Sequence, residues 1–378
     1  MLKKLLIAMV IALFICVALF EFIFQDRVQN WFSDEEDQIV FNEIDITELA
    51  EELILSPEEE TDESVEEEQE EVDEPGDAEE ETIEPSLDDP LIGMQITDLV
   101  QEYGEPTRKN PSPFGYEWWA YEDSQYYTLI GVEDDEVVTT FLTWASLDNR
   151  ETILGESYEA LNEQYDFSRQ VELQIDSNQY QFQLTEQDVR MRPLVKVDDV
   201  WMQLYFDVHT NELSSIRYLT DELLVKQRPY SISYRGSLLE VEEYTEEEWR
   251  EIEEGQERQI FFFTNVLRDR HELEPLEWSE EVSEVAYLHS LDMESSQYFS
   301  HTSPNYGELS DRFDRGEVQY RLAGENIAAK YVDGLAATEG WLNSEGHRVN
   351  VLHTEFSELG VGVYRDFYTQ NFMTPFGF

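Results

Sequence analysis

The sequence predicts an α/β protein. A C-terminal domain of helices covering a small sheet follows a duplicated α+β domain, an acidic disordered linker and an N-terminal transmembrane helix. Three observations carry this reading. Gly93, Leu99 and Tyr103 return as Gly155, Leu161 and Tyr165 at a constant offset of 62 residues, each set followed by strand-like runs. Beyond residue 255, stretches of helical period give way to the strand-like runs Leu359–Tyr364 and Phe367–Phe372, the grouping of a layered mixed fold. The opening run from Leu5 to Phe24 is apolar except for Glu21, and about 20 apolar residues match a bilayer core.

Taken in order, Lys3 and Lys4 precede the apolar run and an acidic flank follows it. The positive-inside rule then keeps the N-terminus cytoplasmic and sends the bulk of the chain outward. Ala18-Leu19-Phe20-Glu21 lacks the small-x-small chemistry of a signal-peptidase site, so residues 1–25 read as an uncleaved anchor, with a cleaved signal peptide as the alternative. Residues 26–88 read as a solvated spacer. Nearly half of Ser33–Asp89 is Asp or Glu, and no Lys or Arg lies between Arg27 and Arg108. Such a segment buries too little apolar surface to offset its ordering entropy. The 86 acidic and 24 basic residues leave a net charge of −62, which excludes a nucleic-acid partner. Cys16 is the only cysteine, so no intramolecular disulfide forms and no Cys-based metal site exists in the exported part.

Residues 89–225 form the duplicated domain. A short helix pattern ends at Gly104 and Pro106; the runs Tyr116–Tyr121, Tyr126–Val132 and Val137–Phe141 then read as strands. The second half repeats the plan with strand-like runs at Gln179–Leu184, Val200–Val208 and Leu213–Leu219. Trp118, Trp119 and Tyr121 are read as strand core in preference to a binding platform. Residues 226–254 connect the folded parts and carry an acidic helical lead-in from Glu246 to Ile252.

In residues 255–378, Ile260, Phe263 and Leu267 share a helix face that ends at the turn His271–Leu276. Ser279 offers an N-cap to a second helix with Val282, Ala286, His289 and Met293 on one stripe. A third helix fits Glu308–Arg315, and a fourth runs from Leu335 to Ser344 with Gly346 as its stop. Two histidines and a glutamate, His301, His347 and Glu325, stand in separate segments beside structure breakers. That placement suits the rim of a cleft.

The pieces Asn265-Val266-Leu267-Arg268, Tyr298-Phe299-Ser300-His301, Gly324-Glu325-Asn326, Trp341-x-x-Ser344-x-Gly346-His347-Arg348 and Gly360-Val361-Gly362-Val363 with Tyr368-Thr369-Gln370 resemble the CAP (SCP-like) family of cysteine-rich secretory and pathogenesis-related proteins, in its bacterial form. Leu91-Ile92-Gly93, Gly104-Glu105-Pro106 and Gly115–Trp119 resemble the companion domain that precedes some bacterial members. The resemblance implies an α-β-α sandwich with a cleft of two histidines and two glutamates that binds a divalent metal in some members. By motif, His301 matches the first histidine, Glu325 the glutamate of a Gly-Glu-Asn turn and His347 the second histidine. Ser344 stands where the second glutamate is expected, and Asn326 borders the cleft.

Three functions follow as expectations. The first is binding of an extracellular ligand, lipid or envelope component in the His301–Glu325–His347 cleft. The second is metal-assisted hydrolysis, with His301, His347 and Glu325 as ligands of a divalent ion such as zinc and one position open for water. The third is an envelope scaffold. A serine nucleophile drawn from Ser300, Ser303 or Ser344 is the least favoured chemistry, because nothing resembles a nucleophile elbow. His289 is assigned to the core, and Arg348 is expected to tie its loop to a carboxylate.

Overall fold

The computed structural model describes residues 91–122, 126–144 and 153–376; the expected anchor and acidic spacer lie outside these. In chain order the first domain holds α1 (Ile96–Tyr103), β1 (Arg108–Pro111), β2 (Glu117–Glu122), β3 (Tyr126–Glu133) and β4 (Glu136–Trp144). It continues with α2 (Tyr158–Tyr165), β5 (Gln170–Ile175), β6 (Asn178–Gln183), α3 (Glu186–Met191), β7 (Leu194–Val197), β8 (Val200–Asp207) and β9 (Glu212–Leu219). Then come α4 (Asp221–Gln227) and β10 (Ser231–Arg235). Seven strands form one antiparallel sheet in the order β1-β2-β3-β4-β9-β8-β7, and β10-β6-β5 form a second.

The duplication is written into the backbone. In the first half, Gly93 N donates to Val137 O, Ile96 N to Asp135 O and Val137 N to Met94 O. In the second half, Gly155 N donates to Leu213 O, Tyr158 N to Asn211 O and Leu213 N to Glu156 O. Gly93 and Gly155 both take positive φ, 85° and 81°, where a side chain would be strained. Each half thus pins the entry to its helix against its own hairpin, and the halves meet where β4 pairs with β9. The hairpin β5–β6 departs from the repeat by pairing with β10. Trp118 and Trp119 are buried, as expected of strand core.

The second domain holds α5 (Glu246–Arg270), β11 (Glu277–Trp278), α6 (Glu280–Ser295), α7 (Leu309–Arg315), β12 (Leu322–Ala329), α8 (Gly334–Asn343), α9 (Glu345–Val351), β13 (Glu358–Tyr364) and β14 (Phe367–Thr374). Its sheet runs β11-β13-β14-β12. The acidic lead-in and the first core helix are one continuous helix, α5, opened by a capping box in which Thr245 and Glu248 satisfy each other's backbone amides.

Strand alternation sorts the layers. Leu359, Val361 and Val363 pack with Ile260 of α5 and Trp341 of α8 on one face. Gly360 and Gly362 face α6 on the other. A Cβ on Gly362 would lie 1.9 Å from Tyr287 N, so only glycine lets α6 approach this closely. The result is an α-β-α sandwich, with α5, α8 and α9 on one side of the sheet and α6 and α7 on the other.

Four details differ from the sequence reading. Gly324-Glu325-Asn326 is the middle of β12, a strand buried along its whole length, and not a turn. Gly346 does not stop a helix; it is buried inside α9, and Ser344 is the junction of α8 and α9. Ser279 precedes α6 without a side-chain cap; instead Ser283 Oγ donates to its carbonyl. Ser231–Arg235, read as connector, is the strand β10.

The domains share a core. Phe141 and Tyr205 of the seven-stranded sheet pack with Phe263, Leu267, Leu335 and Leu342 of α5 and α8. Around that seam Arg217 pairs with Asp333 at 2.8 Å, both buried, and Arg348 pairs with Asp207 at 2.8 Å. Arg348 does tie α9 to a carboxylate, and that carboxylate belongs to the companion domain.

Candidate functional site

Glu325 sits in mid-strand, and its neighbours along the strand face opposite ways. Its side chain points to the α6–α7 layer, beside its cross-strand partner Asn371, which in turn pairs with Gly360. Asn326 points to the α5–α9 layer, where it donates to the His347 carbonyl (3.2 Å) and to Gln370 Oε1 (3.2 Å). Asn350 docks α9 on that same face, donating to Asn326 Oδ1 at 2.9 Å. His347 Nδ1 meets Ser344 Oγ at 2.8 Å.

The expected cleft is therefore divided. His301 and Glu325 come together; His347, Ser344 and Asn326 belong to the opposite layer of the sandwich. A one-residue step along a strand turns the side chain through the sheet, which sequence spacing could not reveal while the segment was read as a turn.

On the Glu325 face, His301 Nδ1 lies 2.9 Å from Glu325 Oε1. Arg312 of α7 donates to both carboxylate oxygens at 3.0 and 2.8 Å and to the His301 carbonyl at 3.2 Å. Burial alone would raise the Glu325 carboxyl, but the Arg312 guanidinium, helped by the two imidazoles, outweighs it and holds the group well below the usual carboxylate range. His289 of α6 completes the cluster, with Nε2 3.9 Å from Glu325 Oε1. Burial is the main reason its pKa falls to about 4, Arg312 and His301 adding to the effect against the pull of Glu325. At neutral pH the site thus holds a fixed carboxylate and a neutral imidazole.

The His301 loop is anchored from α6. Asp292 accepts from Tyr298 Oη (2.5 Å), Ser303 Oγ (2.6 Å) and Asn305 Nδ2 (2.7 Å), and Ser303 and Gly307 exchange backbone hydrogen bonds. The Ser303 hydroxyl is committed to Asp292. The Ser300 hydroxyl accepts from Thr302 N, and Ser344 lies in the other layer. None of the three serines is placed as a nucleophile for His301.

The donor set does not fit a metal ion. Both oxygens of Glu325 are held by a guanidinium, and a bound cation would have to displace it against like-charge repulsion. His347 stands on the far side of the sheet. Among the described residues, no group of three or more His, Cys, Asp or Glu is gathered to hold a metal. His301, His347 and Glu325 are therefore not gathered into one metal centre.

What the cluster leaves open is hydrogen-bonding capacity. Neither ring nitrogen of His289 has a partner among the described residues, and the same holds for Arg312 Nε and Nη1 and for both side-chain polar atoms of Asn371. Such groups are costly to bury unpaired. His289, Asp292 and Arg312 line a groove of about 1270 Å³ between α6 and α7, walled by Val285, Leu288, Leu291 and Tyr306. Leu288 and Tyr306 are exposed large apolar residues.

His289, Arg312 and Asn371 were not named from sequence as site residues. His289 was correctly placed in the interior, and its stripe already faced the sheet. Arg312 stands on the buried face of α7 with Leu309 and Phe313, and an arginine at that spacing is a signal that a carboxylate waits behind it. Asn371 alternates with Gln370 along β14, a strand buried almost throughout.

Comparison with known proteins agrees with this fold. Residues 261–374 match the model of the cysteine-rich secretory protein family, CAP, and residues 92–230 match that of the CAP-associated N-terminal domain. The Bacillus subtilis membrane protein YlbC is 42% identical over 283 residues, covering 75% of this chain and 82% of that protein. The crystal structure of an extracellular protein containing an SCP domain from Bacillus anthracis is 44% identical, with a TM-score of 0.72, covering 80% of this chain and 99% of the other. A cysteine-rich secretory protein from Staphylococcus aureus, at 23% identity and a TM-score of 0.67, covers 75% of this chain and 91% of its own and shares the fold. Sequence, sheet topology and these likenesses lead to one assignment: the chain belongs to the CAP family and carries the CAP-associated N-terminal domain.

Proposed function

We propose that the protein is held at the cell membrane by residues 1–25, faces outward, and binds an amphipathic envelope molecule in the groove between α6 and α7 without chemically altering it. The observation that carries this reading is the unpartnered, buried His289 at the groove floor beside the unpartnered Nη1 and Nε of Arg312. The ligand's polar head would take hydrogen bonds from Arg312 and His289, and its apolar part would lie over Val285, Leu288 and Leu291. Catalysis is the weaker reading. A carboxylate fixed as an ion by Arg312 is a poor proton acceptor near neutrality, and so is an imidazole of low pKa. The two Bacillus relatives, one named as a membrane protein and one as extracellular, support the outward, membrane-bound placement. No helix of the described residues is long and apolar enough to cross a membrane, and the apolar run Leu5–Phe24 lies outside them.

Native mass spectrometry of the full chain tests this. The wild type should carry a small molecule that Leu288→Glu, a change at an exposed groove wall, removes. A hydrolase would instead show turnover that His301→Ala abolishes, with no retained molecule.

A further inference from the structure

A second cavity, of about 400 Å³, lies on the seam between the two domains, away from the α6–α7 groove. Its CAP-side wall is one face of α8, with Ala336, Glu339, Gly340 and Asn343, and the loop carrying Lys330 and Tyr331; its companion-side wall includes Met191, Arg192 and Arg228. Cavities of this size at domain seams are ordinary places for small ligands.

Glu339 sets its chemistry. The side chain is 2% exposed, and Oε1 accepts from Ser214 Oγ (3.0 Å) and Ser215 Oγ. Oε2 is buried and has no partner among the described residues. Arg270 lies near enough to act through its charge but makes no hydrogen bond to Oε2; its Nη1 donates to Ser214 O and Ser214 Oγ at 2.9 and 3.1 Å. Burial pushes the carboxyl up to about 7, the two serine hydroxyls and Arg270 opposing and Asp207 adding to the rise. A carboxylate left half-satisfied in this way gains most from a donor that brings positive charge.

Three cations stand around the cavity, Arg192 and Arg228 on the companion side and Lys330 on the other. Arg192 is spent on Asp188 (2.8 Å), and Lys330 pairs with Asp366 at the surface. Arg228 is the least committed cation: it is exposed, and its hydrogen bond to Leu239 O is 3.5 Å long. Between the two poles Met191, Tyr331, Val332 and Ala336 supply apolar surface.

We propose that this seam is a binding site for a small zwitterion that presents a protonated amine to Glu339 and a carboxylate to Arg228, with a short apolar body between them. Such a ligand touches both domains at once. It goes beyond the groove described above and does not depend on it.

Calorimetric titration of the full chain in detergent with alanylalanine provides the test. The dipeptide should bind saturably. N-acetyl-alanylalanine and alanylalaninamide, each lacking one charged pole, should bind at least tenfold more weakly. Glu339→Gln should abolish binding. Because that change also alters the buried contact with Ser214 and Ser215 across the seam, Arg228→Ala, at an exposed position, gives an independent reading: it should weaken binding at least fivefold with an unchanged melting temperature. Absence of saturable binding, equal binding of either capped form, or indifference to Arg228→Ala would overturn the proposal. Loss of binding in Leu288→Glu would do so as well, because it would move the dipeptide to the other groove.

Discussion

Replacing Arg312 by methionine removes the charge that makes Glu325 tolerable. Both residues are buried, and the guanidinium donates to the two carboxylate oxygens at 3.0 and 2.8 Å. Methionine fills similar volume but leaves a carboxylate enclosed with imidazoles alone. Breaking such a pair from one side costs about 3–5 kcal/mol, or roughly a 10 °C fall in melting temperature for a chain of this size. The pH dependence has a definite sign. In the wild type the folded-state pKa is depressed, so the pair's contribution is complete above the ordinary carboxylate range and fades as pH falls below it. In the variant the carboxyl titrates upward, so the deficit is largest near neutrality and shrinks in acid. Scanning calorimetry between pH 4 and 8 reads both features. Adding Glu325→Gln to Arg312→Met should recover most of the loss, since no charge is then buried. A deficit below about 1 kcal/mol that does not vary with pH would refute the reasoning.

Other expectations follow from the same geometry. His289→Phe should flatten the stability profile between pH 4 and 6.5. The unfolded imidazole takes up a proton near 6.5 and the folded one only at about 4, so this contribution, about 3 kcal/mol in all, is full above 6.5 and lost as pH falls; denaturant midpoints across that range measure it. Gly362→Ala should cost at least about 1–3 kcal/mol, because the new Cβ falls 1.9 Å from Tyr287 N and 2.2 Å from Ala286 C; thermal melts report it. Intact-mass measurement of protein extracted from membranes should give the full chain beginning at Met1. A mass lacking the first 20 or so residues would instead indicate cleavage.

Much of the fold was legible because local signals agreed with the tertiary outcome. The offset from Gly93 to Gly155 marks two backbone positions that need positive φ, and both are found there. The helix faces of Ile260, Phe263 and Leu267 and of Val282, Ala286, His289 and Met293 all point inward. Misreadings arose where a turn-forming residue serves packing. Gly324 is a glycine because a Cβ would meet Asn350 Oδ1 at 2.8 Å and Phe356 Cζ at 2.9 Å, not because the chain turns. Gly346, likewise, is buried within α9. The site was half legible for a related reason. His301 and Glu325 could be paired by motif, but the side of the sheet on which His347 falls depends on strand register and on the docking of α9 through Asn350. His289 and Arg312 reach Glu325 from two different helices, a convergence that neither helical pattern states alone.

The Glu325 cluster is proposed to serve ligand binding in the α6–α7 groove. A high-resolution crystal structure of the protein purified from its own membrane, with nothing added, tests it most directly. The expected result is elongated density along Val285, Leu288 and Leu291 with a polar end within hydrogen-bonding distance of Arg312 Nη1 or the His289 ring. Water alone in the groove, with a metal ion coordinated by His301 and Glu325 and Arg312 turned away, would contradict it.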